Sequence, residues 1–336
     1  MHKALFFIIA FAVVRSAAGS DHPEAEINNG QIRAKAYLPD AKQGFYRGTR
    51  FDWSGVIYSF ETGGHNYYGP WFTKTDPTVS DFIYKDEDIV AGPCSAITGP
   101  VDEFAAIGWD EAKPGGTFIK IGIGALRKPA EGKYDHYHLY EVADGGKWTI
   151  RKHRSELEFT QVLKDAASGY AYVYRKTVRL AESKPEMVLE HSLRNTGTRP
   201  IRTNVYNHNF LVLDKQPPGD GFVITLPFDV HSERPPVRDL AEIRGRQIVY
   251  LKTLTGRDVV ATPIAGFSNN PSDNQIRIEN TRSGAGMSAQ TNRPLLRESL
   301  WSIRSVIAVE PFVSIDIEPG AEFTWETTYG YFSAKH

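Results

Sequence analysis

The sequence has almost no cysteine: Cys94 is the single thiol in 336 residues. One thiol cannot form an intrachain disulfide, so the fold must be stabilised by burial of apolar side chains. Cys94 lies in the turn-like segment Ala-Gly-Pro-Cys-Ser, without a nearby histidine or acid to support thiolate chemistry. We therefore expect a small buried residue here and not a nucleophile.

Long apolar runs are absent after residue 20. The run over residues 4–14 has eleven residues, too few to span a bilayer. It follows Lys3 and precedes small residues at 16–20, as in a secretory signal with its cleavage site. The pattern predicts a signal peptide over residues 1–20, a periplasmic or secreted protein, and no membrane association after cleavage.

Neither sign of charge dominates the chain. Without Lys3 and Arg15 of the predicted signal, the 39 basic residues fall to 37 against 40 acidic ones, a net charge of −3. The basic residues are scattered and do not form a cluster. This distribution argues against nucleic acid or an anionic membrane as the main partner.

Several motifs with a known chemistry are also absent. The sequence has no phosphate-binding glycine-rich loop, no Gly-x-Ser-x-Gly elbow, no His-Glu-x-x-His and no Cys-x-x-Cys. These absences argue against nucleotide-dependent, serine-hydrolase, zinc-protease and dithiol chemistry. We predict neither a cofactor nor a bound metal.

What the chain has in quantity is alternation of apolar and polar residues. The period of two is clearest over residues 170–180, 186–194 and 201–213, which predicts strands. Turn signals rich in glycine, proline, aspartate and asparagine recur between such segments. The pattern is that of an all-β, mostly antiparallel protein, and the absence of a linker predicts one domain over residues 21–336.

Further strands are predicted at 51–60, 118–122, 137–142, 148–151, 156–163, 221–226, 248–252, 259–262, 275–278, 301–309, 313–317 and 321–332. The best candidate for a helix is short, over residues 101–112.

His208 and Glu310 are the leading candidates for catalysis. His208 shares a predicted strand face with Tyr206, and an imidazole there could donate a proton to the ring oxygen of a sugar. The alternative is a core histidine bonded to the backbone. Glu310 lies in an apolar strand, where an unpaired carboxylate is costly, so it either pairs with a cation such as Arg304 or lines a pocket. Together they favour acid–base chemistry on a sugar.

Other candidates would bind substrate. His136 and His138 alternate with tyrosines, and on a strand both imidazoles would share one face. That is a possible metal-ligand geometry, but no third ligand lies at a suggestive spacing, so contact with a sugar is preferred. Arg50 could bind a substrate oxygen or carboxylate, or pair with Asp52 or another acid.

Aromatic and amide groups complete the predicted binding residues. Trp71 belongs to an aromatic loop that also contains His65, and such rings either stack on sugars or simply pack. Tyr206 and Asn209 flank His208 closely in sequence. We predict that Trp71, Tyr206 and Asn209 contact a carbohydrate.

These motifs resemble those of the aldose 1-epimerase, or galactose mutarotase-like, superfamily. Asn195-Thr-Gly followed by Asn207-His-Asn-Phe resembles its histidine-bearing strand, and Val309-Glu-Pro followed by Glu318-Pro-Gly resembles its glutamate region. Ser54-Gly-Val-Ile-Tyr-Ser resembles its opening strand, and the similarity spans about residues 45–333. The resemblance implies a large antiparallel β-supersandwich with an open sugar-binding groove.

The resemblance also implies roles. His208 would be the general acid that protonates the ring oxygen, and Glu310 the general base that takes the anomeric proton. The superfamily's earlier histidine corresponds only poorly to the region of His136 and His138, and Arg50 corresponds weakly to a substrate-binding arginine.

Three functions remain open, since one fold serves many chemistries. The first is an aldose 1-epimerase-like isomerase, the second a lyase or hydrolase of a glycoside or polysaccharide, and the third a carbohydrate-binding protein without turnover. The expected partner in each case is a monosaccharide or a glycan end, and the protein is expected to be a monomer or a homodimer.

Overall fold

The computed structural model describes residues 21–333, which contain strands and two short 3-10 helices but no α-helix. The predicted signal peptide over residues 1–20 lies outside the described residues. None of the described helices is long and apolar enough to cross a bilayer.

The strands follow one another in this order: β1 Glu24–Asn28, β2 Arg33–Tyr37, β3 Val56–Thr62, β4 His65–Asn66, β5 Lys74–Thr75, β6 Phe82–Lys85, β7 Asp88–Ala91, β8 Gly99–Phe104, β9 Thr117–Lys120, β10 Gly124–Arg127, β11 Val142–Asp144, β12 Lys147–Lys152, β13 Glu156–Asp165, β14 Tyr170–Leu180, β15 Glu186–Asn195, β16 Ile201–Phe210, β17 Phe222–Thr225, β18 Ala241–Arg244, β19 Gln247–Tyr250, β20 Val259–Ile264, β21 Gln275–Asn280, β22 Ala285–Thr291, β23 Arg297–Ile303, β24 Val306–Ile317 and β25 Glu322–Phe332. The 3-10 helices are Leu213–Lys215 and Pro271–Asp273.

Two antiparallel sheets form the body of the molecule. The larger has ten strands in the order β12-β13-β14-β15-β25-β22-β21-β17-β19-β18, and the smaller has five in the order β20-β23-β24-β16-β8. Apolar residues of both sheets, such as Leu189 and Val309, pack into one core cluster. This arrangement confirms the all-β antiparallel sandwich that alternation and the family resemblance predicted.

The N-terminal part of the chain covers the outer face of the five-stranded sheet. Residues such as Phe51, Trp71 and Phe118 pack there against Phe210 of β16, in a second core cluster. The five-stranded sheet is therefore covered on both sides, by the ten-stranded sheet on its inner face and by these loops and short strands on its outer face.

Three predicted elements are wrong. The strand predicted over residues 301–309 is divided by a turn at 304–305 into the end of β23 and the start of β24, which pair with each other. Residues 101–112 do not form a helix, because β8 occupies Gly99–Phe104 and all six of its residues are buried. A strand covered on both faces loses the alternation by which strands are recognised in a sequence. Residues 137–142 form turns and coil instead of a strand, with β11 beginning only at Val142.

The pairing of β16 with β24 contains an opening. The strands are paired from Ile201↔Ile317 to Tyr206↔Phe312, and a single bridge, Leu211↔Ile307, follows five residues later. The interruption begins at Pro311, which has no N–H group to donate to the neighbouring strand. His208 and Glu310 lie in this opening.

Candidate active site

A cavity of about 1000 Å³ lies over the outer face of the five-stranded sheet. Strand alternation directs Tyr206, His208 and Phe210 of β16 toward it, and Glu310 of β24 faces it from the neighbouring strand. Of the predicted site residues, it brings together Arg50, Trp71, His136, Tyr206, His208 and Glu310.

His208 and Glu310 contact one another within the cavity. The His208 Nε2 atom lies 3.0 Å from Glu310 Oε1, and the two side chains are 5% and 14% exposed. The hydroxyl of Ser299 donates a hydrogen bond of 2.8 Å to the other oxygen of Glu310. The alternative expectation of a pair between Glu310 and Arg304 is therefore wrong, since Arg304 bonds the carbonyl oxygens of Gly256 and Glu87.

Aromatic rings hold the imidazole of His208 in place. Phe210 stacks on it with 3.6 Å between ring centroids, while Phe51 and Trp301 contact it edge-on at 5.7 and 5.8 Å. Its Nδ1 atom is buried and has no hydrogen-bond partner among residues 21–333. The ring can therefore exchange a proton only through Nε2, the atom that faces Glu310.

Burial and pairing shift the pKa values of His208 and Glu310 in opposite directions. Burial lowers the pKa of His208 below its ordinary value, although the neighbouring carboxylate of Glu310 opposes this shift. Burial alone would raise the pKa of Glu310, but His208 and the Ser299 hydroxyl hold it below the usual value. Near neutral pH the pair is therefore a carboxylate beside a mostly neutral imidazole.

Glu103 is a central residue of the cavity for which no role was predicted. Its carboxylate accepts a 2.7 Å hydrogen bond from Arg50 Nε and another from the Tyr206 hydroxyl, and lies 3.2 Å from His136 Nδ1. Lys120 Nζ lies 3.7 Å away. Burial would raise the pKa of Glu103, but Arg50 and Lys120 hold it well below its ordinary value. The site thus contains a second, permanently ionised carboxylate.

Sequence reasoning missed Glu103 because it lies in the segment predicted as a helix. The strand register Tyr206↔Glu103 places the two side chains side by side. Pairing of β8 with β16 joins residues about a hundred positions apart, and no local pattern reveals it. Arg50 was predicted to bind substrate or to pair with Asp52 or another acid, and the acid with which it pairs is Glu103.

Asn209 does not line the cavity, which corrects the prediction that it contacts substrate. It follows His208 on the strand and therefore faces the ten-stranded sheet. Its amide donates to the Val309 carbonyl oxygen at 2.8 Å and accepts from the Tyr329 hydroxyl at 2.7 Å. Asn207 faces the same way and bonds Asp102 and Tyr329.

Behind this strand lies a buried layer of charged groups. Asp102 lies 2.7 Å from Lys176 Nζ and 3.0 Å from His191 Nε2, and Asp52 lies 3.5 Å from the same lysine. All of these side chains are almost fully buried between the sheets. The layer supports β8 and β16 from below, and it does not line the cavity.

His136 and His138 are not on one strand face as predicted. Both lie in a turn region, and only His136 lines the main cavity. His138 is exposed and lines a separate depression beside Pro114 and Lys128. A turn does not keep alternate residues on one side, so the spacing that a strand would have imposed is lost. Residues 21–333 contain no group of three or more histidine, cysteine or acidic side chains placed to hold a metal ion.

Trp71 lines the cavity but is 3% exposed. Its indole N–H donates to the Ile97 carbonyl oxygen at 3.0 Å, and its ring stacks parallel to Phe210. The half-buried Trp301 contacts Trp71 edge-on and offers more ring surface to the cavity. Trp71 therefore supports the ring of Phe210 that packs on His208.

Comparison with solved structures identifies the fold. The Slr1438 protein from Synechocystis sp. PCC 6803 superposes with a TM-score of 0.55 at 11% identity, covering 98% of this chain and 100% of that chain. A GalM/aldose epimerase homologue from C. elegans gives 0.53 at 14% identity, covering 93% and 99%. A galactose mutarotase-like protein from Lactobacillus casei gives 0.52 at 13% identity, covering 92% and 100%.

The predicted resemblance to galactose mutarotase-like proteins is thus confirmed for the fold over nearly the whole chain. At these identities the likeness concerns the fold and not the chemistry. No protein-family model and no curated protein matches the sequence.

Proposed function

We propose that this protein is an aldose 1-epimerase-like isomerase that interconverts the anomers of a sugar with a free reducing end. The observation that carries the proposal is the contact between His208 and Glu310, 3.0 Å apart in a cavity of about 1000 Å³. The galactose mutarotase-like fold supports the same class of substrate.

The spacing of the pair suits a hemiacetal. The ring oxygen and the anomeric hydroxyl are bonded to the same carbon, so one donor and one acceptor at hydrogen-bond distance from each other can face both. Protonated His208 gives its Nε2 proton to the ring oxygen while Glu310 takes the proton of the anomeric hydroxyl. The bond between the anomeric carbon and the ring oxygen breaks, and the products are the open aldehyde, a neutral imidazole and a carboxylic acid.

Ring closure reverses these steps. After rotation about the bond between the first two carbons, the hydroxyl formed from the ring oxygen attacks the other face of the aldehyde. His208 takes back its proton and Glu310 returns one to the new anomeric oxygen. No net proton is consumed. The acid and the base can therefore complete the cycle without exchanging protons with solvent.

The remaining cavity groups would orient the sugar. Arg50, Tyr206, Glu103 and His136 form one hydrogen-bonded set whose geometry is fixed before a ligand arrives. Donors and acceptors held in this way bind ring hydroxyls with little loss of side-chain entropy. Glu103 also neutralises Arg50, which favours uncharged hydroxyls at this end of the cavity.

Anomer exchange measured by NMR on freshly dissolved glucose, galactose and related pyranoses tests the proposal. The mature protein should accelerate exchange for at least one sugar, and His208→Ala and Glu310→Gln should each abolish the acceleration while sugar binding weakens less. Absence of acceleration for every sugar, or full activity in either variant, would contradict it.

A second candidate is cleavage of a glycan, as a lyase or hydrolase. It is favoured by the extent of the cavity, which crosses the five-stranded sheet from Ala261 on β20 to Glu103 on β8, with the acid–base pair near the middle. A chain could then extend on both sides of the pair. Release of new reducing ends or unsaturated sugars from a polysaccharide, without anomer exchange, would select this function, and binding without either reaction would leave a carbohydrate-binding protein.

We further propose that the protein acts in the periplasm or outside the cell. The support is the sequence of residues 1–20, which has the three parts of a secretory signal.

A further inference from the structure

One side of the cavity is formed by β20, at one edge of the five-stranded sheet, and its neighbour β23. Arg234, Ala261, Pro263, Arg297 and Trp301 line it, and we name this group the edge shelf. Ala261 and Pro263 belong to the edge strand β20, while Arg297 and Trp301 belong to β23. The shelf is adjacent to the acid–base pair, because Trp301 contacts His208 edge-on at 5.8 Å.

The outer part of the shelf, β20, begins where a single sugar ring would end, whereas Arg297 and Trp301 of β23 lie one strand spacing from β24. The strand register aligns Pro263 with Ser299 and Ser299 with Glu310, so β20 lies two strand spacings from the catalytic carboxylate. At about 4.8 Å per spacing this is roughly 10 Å. A pyranose held with its anomeric carbon at Glu310 does not extend over that distance, whereas a second linked sugar does.

The polar groups of the shelf have no partners, unlike those around Glu103. The Arg297 guanidinium lies 3.7 Å from the centre of the Phe312 ring but forms no ion pair or hydrogen bond within residues 21–333. The described residues likewise supply no side-chain partner to Arg234, and Trp301 Nε1 has no acceptor among them. By contrast, Arg50 is already neutralised by Glu103 at 2.7 Å.

The shelf as defined contains no carboxylate. Glu298, which follows Arg297 along β23, also lines the cavity, but its side chain is 3% exposed and has no partner among residues 21–333. The shelf therefore combines two unpaired guanidinium groups, an indole donor and a floor of small residues. Guanidinium groups bind carboxylates and sulfates through paired hydrogen bonds, and an indole ring packs against the apolar face of a sugar.

We propose that the edge shelf binds a second sugar unit that carries a negative charge, either a carboxylate or a sulfate ester, linked to the reducing-end sugar at the acid–base pair. The inference rests on the proposed function for the position of the reducing end. It names the substrate class as acidic oligosaccharides, and it assigns recognition of the charge to Arg297 and Arg234.

Calorimetric titration of the mature protein tests this assignment without requiring turnover. Three ligands are compared: a neutral disaccharide, the same disaccharide with a uronic acid at the non-reducing end, and its sulfated counterpart. We expect at least one acidic ligand to bind about tenfold more tightly than the neutral one, as a charge-assisted hydrogen bond provides. The preference should decrease as salt is added, since these groups are exposed to solvent.

Arg297→Ala should weaken binding of the acidic disaccharide more than that of the neutral one and so remove most of this preference. Arg277→Ala is the matched control, because Arg277 also lies 3.7 Å from the centre of a ring, that of Phe332, but does not line the cavity. Equal affinity for neutral and acidic disaccharides, or an equal effect of the two variants, would overturn the proposal.

The outcome is separable from that of the proposed function. Anomer exchange is measured on single neutral sugars, which carry no charge for Arg297 and Arg234 to bind. A protein without exchange activity that still binds acidic disaccharides through Arg297 keeps the shelf and loses the isomerase proposal. A protein with exchange activity but without a preference for acidic disaccharides keeps the isomerase proposal and loses the shelf.

Discussion

At the scale of single residues, the buried Nδ1 atom of His208 has a direct consequence for pH dependence. Protonation of the imidazole places a hydrogen on Nδ1, where residues 21–333 provide no acceptor. This unpaired N–H explains physically why burial lowers the pKa of His208. The acid form that the isomerase needs is therefore a minor species at neutral pH.

We expect the anomer-exchange rate to rise as the pH falls below 6.5. His208 must be protonated and Glu310 ionised, and the pKa values of both are lowered from 6.5 and 4.5. The active fraction thus declines as pH rises through the lowered pKa of His208, and it declines again only below the lowered pKa of Glu310. A pH profile of kcat/KM measures this window, although the two values belong to the coupled pair. An optimum above pH 7 would contradict the assignment.

Glu298 gives a second prediction at this scale, for stability. It is 3% exposed, neither oxygen has a partner among residues 21–333, and burial raises its pKa to about 8. In the unfolded chain the group ionises near 4.5, so the unfolded state binds fewer protons between pH 4.5 and 8. Glu298 should therefore lower the free energy of unfolding progressively across this window, by on the order of 4 kcal/mol at its upper end.

Glu298→Gln should remove this loss, because an amide does not titrate. Denaturant unfolding at several pH values would show the variant gaining stability over the parent from pH 5 to pH 8, whatever their difference at pH 4.5. The same substitution at the exposed Glu182 is the control. A constant difference between Glu298→Gln and the parent at all pH values would disprove the raised pKa.

The sequence predicted His208, Glu310 and several of the residues that share their cavity, but not Glu103. His208 and Glu310 belong to short motifs that can be read locally. Glu103 could not be found, since its role depends on pairing with Tyr206 across strands. Asn209 could have been assigned correctly, because the alternation that directs His208 toward one face directs its neighbour toward the other.

At the scale of strands, the side chain of Asn209 bridges the opening between β16 and β24 on the face opposite to His208 and Glu310. Asn209 of β16 donates to the carbonyl oxygen of Val309, the residue before Glu310, and accepts from Tyr329 of the ten-stranded sheet. Its amide takes the place of the missing backbone hydrogen bonds. The separation of His208 and Glu310 is therefore fixed by a group on the opposite face of the sheet.

Asn209→Ala should act on turnover more than on binding. Loss of the bridge allows the strands to separate, and a displacement of about 1 Å is sufficient to lower kcat by tenfold to a hundredfold. KM should change little, since Asn209 does not line the cavity. Steady-state kinetics measures the split, and unfolding experiments should show a loss of about 1–3 kcal/mol from the unpaired buried groups.

Tyr329→Phe provides the graded comparison, because it removes one of the two hydrogen bonds and keeps the ring. Its kcat should lie between those of the parent and Asn209→Ala. Equal kcat in all three proteins would show that Asn209 has no part in positioning the pair.

Strands with alternating burial were predictable, whereas β8, in which every residue is buried, was not. The segment 170–180 was predicted and is observed as Tyr170–Leu180, where burial alternates over most of the strand. Gly99–Phe104 was predicted as a helix because every residue is buried and the period of two is lost. The prediction of a strand over residues 137–142 is wrong for a different reason. Histidine and tyrosine alternate there as in a strand, but the segment forms a turn.

At the scale of the whole molecule, the fold could be predicted from two motifs, but the order of its strands could not. The ten-stranded sheet joins segments that lie far apart in the sequence, such as β15 and β25. The register of such pairs is set by long-range packing, which composition and periodicity do not encode. The cavity depends on the same long-range order, because its walls come from widely separated segments.

If the protein is exported as proposed, removal of the signal peptide makes the mature protein lighter than the translated chain. Expressed with its own first 20 residues in a bacterial host, the protein should be recovered from the periplasm or medium without them, cleaved near residues 18–20. Intact mass spectrometry of the recovered protein measures this. A version that begins after residue 20 is the control and should stay in the cytoplasm, whereas retention of an intact residue 1–20 segment would contradict the signal prediction.

The position of β25 has a consequence for how the sheet forms during synthesis. This strand, the last described, lies between β15 and β22 and joins the two halves of the ten-stranded sheet. A ribosome releases Glu322–Phe332 after the other described strands of this sheet, so until then β15 and β22 present unpaired edges to one another. The ten-stranded sheet can therefore close only after β25 has emerged.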